Sequence, residues 1–216
     1  MAEPVVVGAL AAHYRAEELV AAVHALHLRY AREVVGAFGL CPFMNDPESA
    51  FGRFCVILER RLDVLLARDV VLAAPGVVHL VYPLVREGCH TMERFGNALH
   101  EAVRREVFAR GESTPPVHAT FHPEMEGDTT TTQRRIGLVR RAPDPFVQFV
   151  PQGLTGGGST FVDPTSLDLA ALLAATAKPK GRVANLDDAD LERIVALLAE
   201  LRSEREATYP RLVDEA

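Results

Sequence analysis

The 216-residue sequence predicts a single α/β domain: a small parallel or mixed sheet covered by helices, with a long N-terminal helix and a helical C-terminus. Three observations carry that expectation. Stretches with helical periodicity alternate with short β-branched runs, giving a β-α-β-α-β order after the first helix. Hydrophobic residues make up 48% of the chain, enough for a sizeable core, and with no Trp that core is aliphatic. No apolar run reaches the roughly 18 uninterrupted residues that a spanning helix needs. The expected domain is residues 1–216, with a core over about 12–164 and C-terminal helices over about 165–207.

The elements follow in order. Ala16 to Phe38 predicts a helix: Val20, Val23, His27, Tyr30 and Val34 form one stripe, with Leu19 and Leu26 beside it. Gly36 and Gly39 mark its end. RFCVILE, residues 53–59, reads as a strand. Residues 61–74 read as a helix stopped by Pro75-Gly76. VVHLVYPL, residues 77–84, suits a strand buried on both faces. A helix from Thr91 stops at Gly111, and PVHATFHP, residues 116–123, is the third strand. PFVQFV and STFVD then predict a hairpin around PQGLTGGG, whose glycines read as a flexible loop rather than a phosphate cradle. SLDLAALLAAT and residues 188–205 are the closing helices. The stripe of the second is free to dock on its own core or on a second copy of the chain, so a homo-oligomer stays open.

Composition narrows the partners. A net charge of −6 argues against sequence-independent nucleic-acid binding and against an anionic membrane surface, both of which need basic faces. The first 20 residues carry an apolar run with no preceding Lys or Arg, which predicts a cytoplasmic protein without a signal peptide. Three well-separated cysteines, Cys41, Cys55 and Cys89, read as reduced thiols.

Candidate chemistry gathers in three segments. In GAFGLCPF, Cys41 follows a helix end. The thiolate is the reactive form, and the helix dipole there opposes it, so a reactive Cys41 needs a cation from elsewhere in the fold. CPFM resembles the CPxC of glutaredoxin-like proteins, though that motif opens a helix rather than follows one. Cys-Pro can also ligate haem iron, and a free Cys is often a buried small apolar residue. In ATFHPEM, His122 ends a strand, where open sheets place ligand crevices. It reads as a base, as a metal ligand, or as a strand cap bonded to the backbone. In QRRIGLVRRAPDPF, Arg140 and Arg141 offer guanidinium forks suited to carboxylate or phosphate, and the rigid Ala-Pro-Asp-Pro turn holds Arg141 still. Glu124 and Asp144 are candidates to bind substrate or to orient the histidine or arginine. His24 and His27 stand one turn apart; His27 lies on the apolar stripe and reads as a core histidine.

Taken together, GLCPF, ATFHPEM and RRAPDPF resemble an uncharacterised bacterial family, the domain of unknown function 1415 family, over roughly residues 34–149. The matching positions are Cys41, Pro42 and Phe43; Phe121, His122 and Pro123; and Arg141, Pro143 and Pro145. The chain departs from the family pattern at Arg140, Ala142 and Asp144. It departs again at Gln148, Pro151 and Gln152, where the family has a His and an Arg-Glu pair. The resemblance implies a shared pocket and carries no reaction. The resulting expectation is an enzyme acting on a small anionic metabolite, with catalytic Cys41, His122 and Arg141 and with Arg140, Asp144 and Glu124 binding substrate. The alternatives are a metal- or haem-binding protein with Cys41 and His122 as ligands, and a non-catalytic interaction module. No cofactor is required by the sequence; a metal ion or haem belongs to the alternative only.

Overall fold

The computed structural model describes residues 4–13, 15–40, 53–74, 76–152, 183 and 186–209. It contains β1 (Val5–Val7), α1 (Ala16–Arg29) with a π-helical continuation (Tyr30–Gly36), β2 (Arg53–Ile57), α2 (Val64–Ala73) and β3 (Val78–Val81). α3 (Cys89–Ala109), β4 (Val117–Phe121), α4 (Thr132–Val139), β5 (Phe146–Val150) and α5 (Asp188–Thr208) follow. The five strands form one mixed sheet in the order β1-β2-β3-β5-β4. β1, β2 and β3 run parallel, and β5 returns antiparallel to both β3 and β4. The expected α/β domain is therefore the observed one. STFVD, the helix expected over 166–176 and Cys41 lie outside the described residues.

Alternation along each strand builds two cores. Phe54, Val56, Val81 and Phe146 face one side, where α1, its π-helical end and α5 cover them. Cys55, Ile57, Val78, Leu80, Val147 and Phe149 face the other, under α2 and α3. Burial on both faces explains why these strands read as continuous apolar runs. The stripe of the first helix is buried as its spacing predicts: Val23 and Val34 are fully covered, and His27 is 1% exposed.

That helix changes gauge partway. Ala37 N–H donates to the Arg32 carbonyl, five residues back rather than four. The wider turn begins at Tyr30, whose hydroxyl donates to the Val139 carbonyl (2.6 Å), tying it to the end of α4. Gly39, at φ +59°, closes the segment in the left-handed region that favours glycine.

Side-chain caps fix the other starts. Asp63 accepts from Leu65 and Leu66 N–H, Thr131 from Arg134 N–H, and Asp187 from Asp190 N–H. α5 docks on its own chain: Leu191, Ile194 and Leu201 are buried in the α1-side core. Among the described residues no helix is long and apolar enough to cross a membrane.

Among the described residues one buried group breaks the pattern of satisfied polar atoms. The Tyr82 hydroxyl sits fully buried in the α3-side core, edge-on to Phe95, without a hydrogen-bond partner. A buried hydroxyl left unpaired costs about 1–3 kcal/mol. Tyr82→Phe removes it without changing the ring, so the variant is expected to gain about 1 kcal/mol in urea unfolding. A loss of stability would show that the hydroxyl is satisfied after all.

Candidate functional site

The second and third sequence motifs meet at one end of the sheet, where β4 stops and β5 begins. There they build a clamp. His122 is 5% exposed, and both ring nitrogens are taken by the backbone. Nδ1 accepts from Glu124 N–H and Nε2 donates to the Glu87 carbonyl, each at 3.0 Å. That pattern defines the neutral tautomer with its proton on Nε2. Burial pushes the His122 pKa down, and the Glu87 carbonyl and Glu124 oppose it only in part. Arg141 works on the same loop: Nε donates to the Met125 carbonyl (3.0 Å) and Nη2 to the Gly127 carbonyl (2.8 Å).

His122 and Arg141, expected as a base and an anion clamp, both bond to the backbone, His122 in the role of strand cap, the third of its readings. His122 joins the loop after β4 to the loop before α3; Arg141 joins it to the end of α4. His122 has no ring nitrogen to offer a proton or a metal without giving up a backbone bond. Glu124 takes part through its backbone N–H, and its carboxylate is exposed.

Asp144, expected to bind substrate or to orient His122 or Arg141, lies deep inside the fold and bonds to other residues. It is fully buried. Its carboxylate accepts from His27 Nε2 (3.1 Å), Arg205 Nε (2.8 Å) and the Tyr209 hydroxyl (2.8 Å). Arg205 also donates to the Pro83 carbonyl (3.2 Å). Burial works to raise the Asp144 pKa, but the donors and charge of His27 and Arg205 outweigh it and hold the group below the usual carboxylate range. The hub thus joins α1, the start of β5 and α5.

Arg140 is the exception among the motif residues. Its carbonyl accepts from His122 N–H (3.2 Å), but its half-buried guanidinium lies 6.0 Å over the Phe121 ring and pairs with no carboxylate among the described residues. Phe121 in turn stacks on Phe146 at 4.1 Å.

Sequence reasoning missed two polar groupings. On the α1-covered face, Gln148 Nε2 donates to His79 Nε2 (3.0 Å) across the β3–β5 register. Two polar residues interrupting VVHLV and FVQFV were the available signal, since a polar side chain on a core-facing position asks for a partner. The second grouping pairs His100 of α3 with His118 of β4, stacked at 4.6 Å.

No protein-family model, no curated protein and no solved structure matches this chain.

Proposed function

We propose that the chain is an enzyme acting on a small anionic metabolite, with Cys41 as the nucleophile or redox centre and Arg140 as the residue that holds the anion. One observation supports the reading: His122 and Arg141 are spent on backbone groups, while the Arg140 guanidinium is held over Phe121 with no acid among the described residues. An arginine fixed against an aromatic ring and left unpaired is suited to an incoming carboxylate or phosphate. His122 and Arg141 are positioning residues for the loop that presents it. As part of the same proposal, the ordered motifs make the chain a divergent member of the bacterial family it resembles, working in the cytoplasm.

The metal- or haem-binding alternative has less support. His122 is committed to the backbone. Among the described residues no three His, Cys, Asp or Glu side chains converge to hold a metal.

The test is the alkylation rate of each cysteine in the native protein against pH, read by site-resolved mass spectrometry with iodoacetamide. Cys55 is a built-in control: it is fully buried, and burial pushes its pKa up to about 11. Cys55 is expected to stay unlabelled until the protein unfolds. Cys41 is expected to label well below the ordinary thiol pKa of about 8.5. Labelling of Cys41 no faster than that of half-buried Cys89 at neutral pH would sink the enzyme reading.

A further inference from the structure

β4 is the outer strand of the described sheet, bonded to β5 alone, and α3 packs on one of its faces. Two contacts, one helical turn apart, join helix to strand. At Gly96 the backbones come so close that a Cβ there would strike the Thr120 hydroxyl and lie 3.6 Å from His118 Cδ2. One turn on, the His100 ring stacks on the His118 ring, with centroids 4.6 Å apart and planes inclined by 24°. Phe149 of β5 backs both rings, 6.0 Å from His118 and 6.5 Å from His100. His100 Nε2 donates to the Pro116 carbonyl (3.1 Å), so the neutral ring keeps Nδ1 as its open nitrogen. Both rings are partly buried.

Two stacked imidazoles are compatible while uncharged. Once both carry charge they repel, and partial burial weakens the screening that water would supply. No described carboxylate pairs with either ring. On α3 the neighbouring charges, Glu101, Arg104 and Arg105, pair with one another. β5 presents Val147 and Phe149 on this face, and neither titrates. Arg140 lies on the opposite face, over Phe121. Burial pushes the His118 pKa down first, His100 adds to the shift, and Arg140 acts in the same direction from across the sheet. The unfolded chain therefore takes this proton at about pH 6.5, before the folded chain does. The contact is at full strength above that pH and weakens as pH falls below it.

We propose that the His100–His118 stack is a pH-sensitive latch: it closes α3 onto the outer strand while the two rings are uncharged and releases that strand as they take up protons. The position of the stack makes the release local. β4 has one strand neighbour, whereas β2, β3 and β5 each have two, and an edge element opens at lower free energy than the centre of a sheet. β4 also runs directly into the clamp made by His122 and Arg141, so the latch couples acidity to the hold on the loop that follows the strand.

The experiment follows histidine ring signals and amide exchange of the full chain by NMR from about pH 7.5 to pH 5, the range in which histidine changes charge. Protection factors, which correct for the intrinsic pH dependence of exchange, are expected to fall several-fold at the β4 amides bonded to β5 and to hold at the β2 amides. His100→Phe and His118→Phe each keep an aromatic ring in the stack and remove one titrating group. In both variants β4 protection is expected to stay level across the range. In His100→Phe the His118 ring is expected to take its proton at a higher pH than in the native chain. Level protection in the native chain, or loss at β2 in step with β4, would overturn the latch. So would a His118 titration that His100→Phe leaves unmoved. His122 ends the same strand and burial lowers its pKa too, so loosening that persists in both variants would assign the effect to His122 and remove the latch.

Discussion

Asp144→Ala is expected to destabilise the fold by about 3–5 kcal/mol, the usual cost of removing one partner from a buried ion pair. The reason lies in what is left behind. His27 and Tyr209, both nearly inaccessible, lose their acceptor, and Arg205 keeps a charge met by the Pro83 carbonyl and the Tyr209 ring but by no carboxylate of Asp144. For a chain of this size that loss lowers Tm by roughly 10 °C. Asp144→Asn keeps an oxygen for the donors but gives up the charge, so its loss is smaller. The pH dependence has a definite sign. Asp144 has a folded pKa held below its unfolded value of about 3.9. Its contribution is therefore present above about pH 4 and disappears as pH falls through the folded value. Urea unfolding at neutral and acid pH checks both claims. A loss under about 1 kcal/mol at neutral pH, the scale of an exposed pair, would show that the three contacts are incidental.

Gly137→Ala is the second large effect, and it is steric rather than electrostatic. The loop after β4 runs so close to α4 that two glycines face each other. A Cβ on Gly137 would lie 2.9 Å from the Glu126 carbonyl carbon and 3.2 Å from Gly127 Cα. A Cβ on Gly127 would meet the Gly137 carbonyl carbon at 2.6 Å. Those neighbours are backbone and cannot swing aside, so a cost of about 2–3 kcal/mol is expected. The damage has an address. Separating loop from helix breaks the Arg141 contacts to Met125 and Gly127 and the Asp128 N–H bond to the Arg134 carbonyl. Amide exchange at Asp128 is expected to accelerate ahead of the sheet amides. Gly96→Ala makes the contrast: its Cβ meets the Thr120 hydroxyl, which can rotate away, so the expected cost is smaller. Equal stability losses at Gly96 and Gly137 would count against the backbone-contact explanation.

Much of the architecture was legible because periodicity is local. The α1 stripe, the buried strands and the long α3 follow from spacing alone. The direction of β5 was not legible, since a strand buried on both faces has the same apolar pattern in either orientation. β1, three residues long, is too short to show a period, and α4 hid because TQRRIGLV is short, basic and interrupted by glycine. The site was legible as motifs and not as roles. His122 ending a strand, and Arg141 held by a rigid turn, were both visible. That each would bond to the backbone depends on the Glu87 loop and on the Met125 and Gly127 carbonyls, which no spacing rule brings close. Asp144, set between two prolines, reads as a surface turn. Its partners are 117, 61 and 65 residues away, and only the assembled fold reveals a carboxylate aimed at the core.

Those separations also set an order of events during protein synthesis. When the ribosome has completed β5, the five described strands of the sheet exist, and Asp144 has His27 within the finished chain. Arg205 and Tyr209, 61 and 65 residues beyond Asp144, are still unmade. At translation speeds of about 5–20 residues per second, the nascent chain waits several seconds with that carboxylate half-paired and with the surface that α5 will cover exposed. The α3-side core has every described member by then; the α1-side core does not. The last helix therefore acts as a vectorial closing step. The interval before it is when the growing chain most needs protection from aggregation or a holding chaperone.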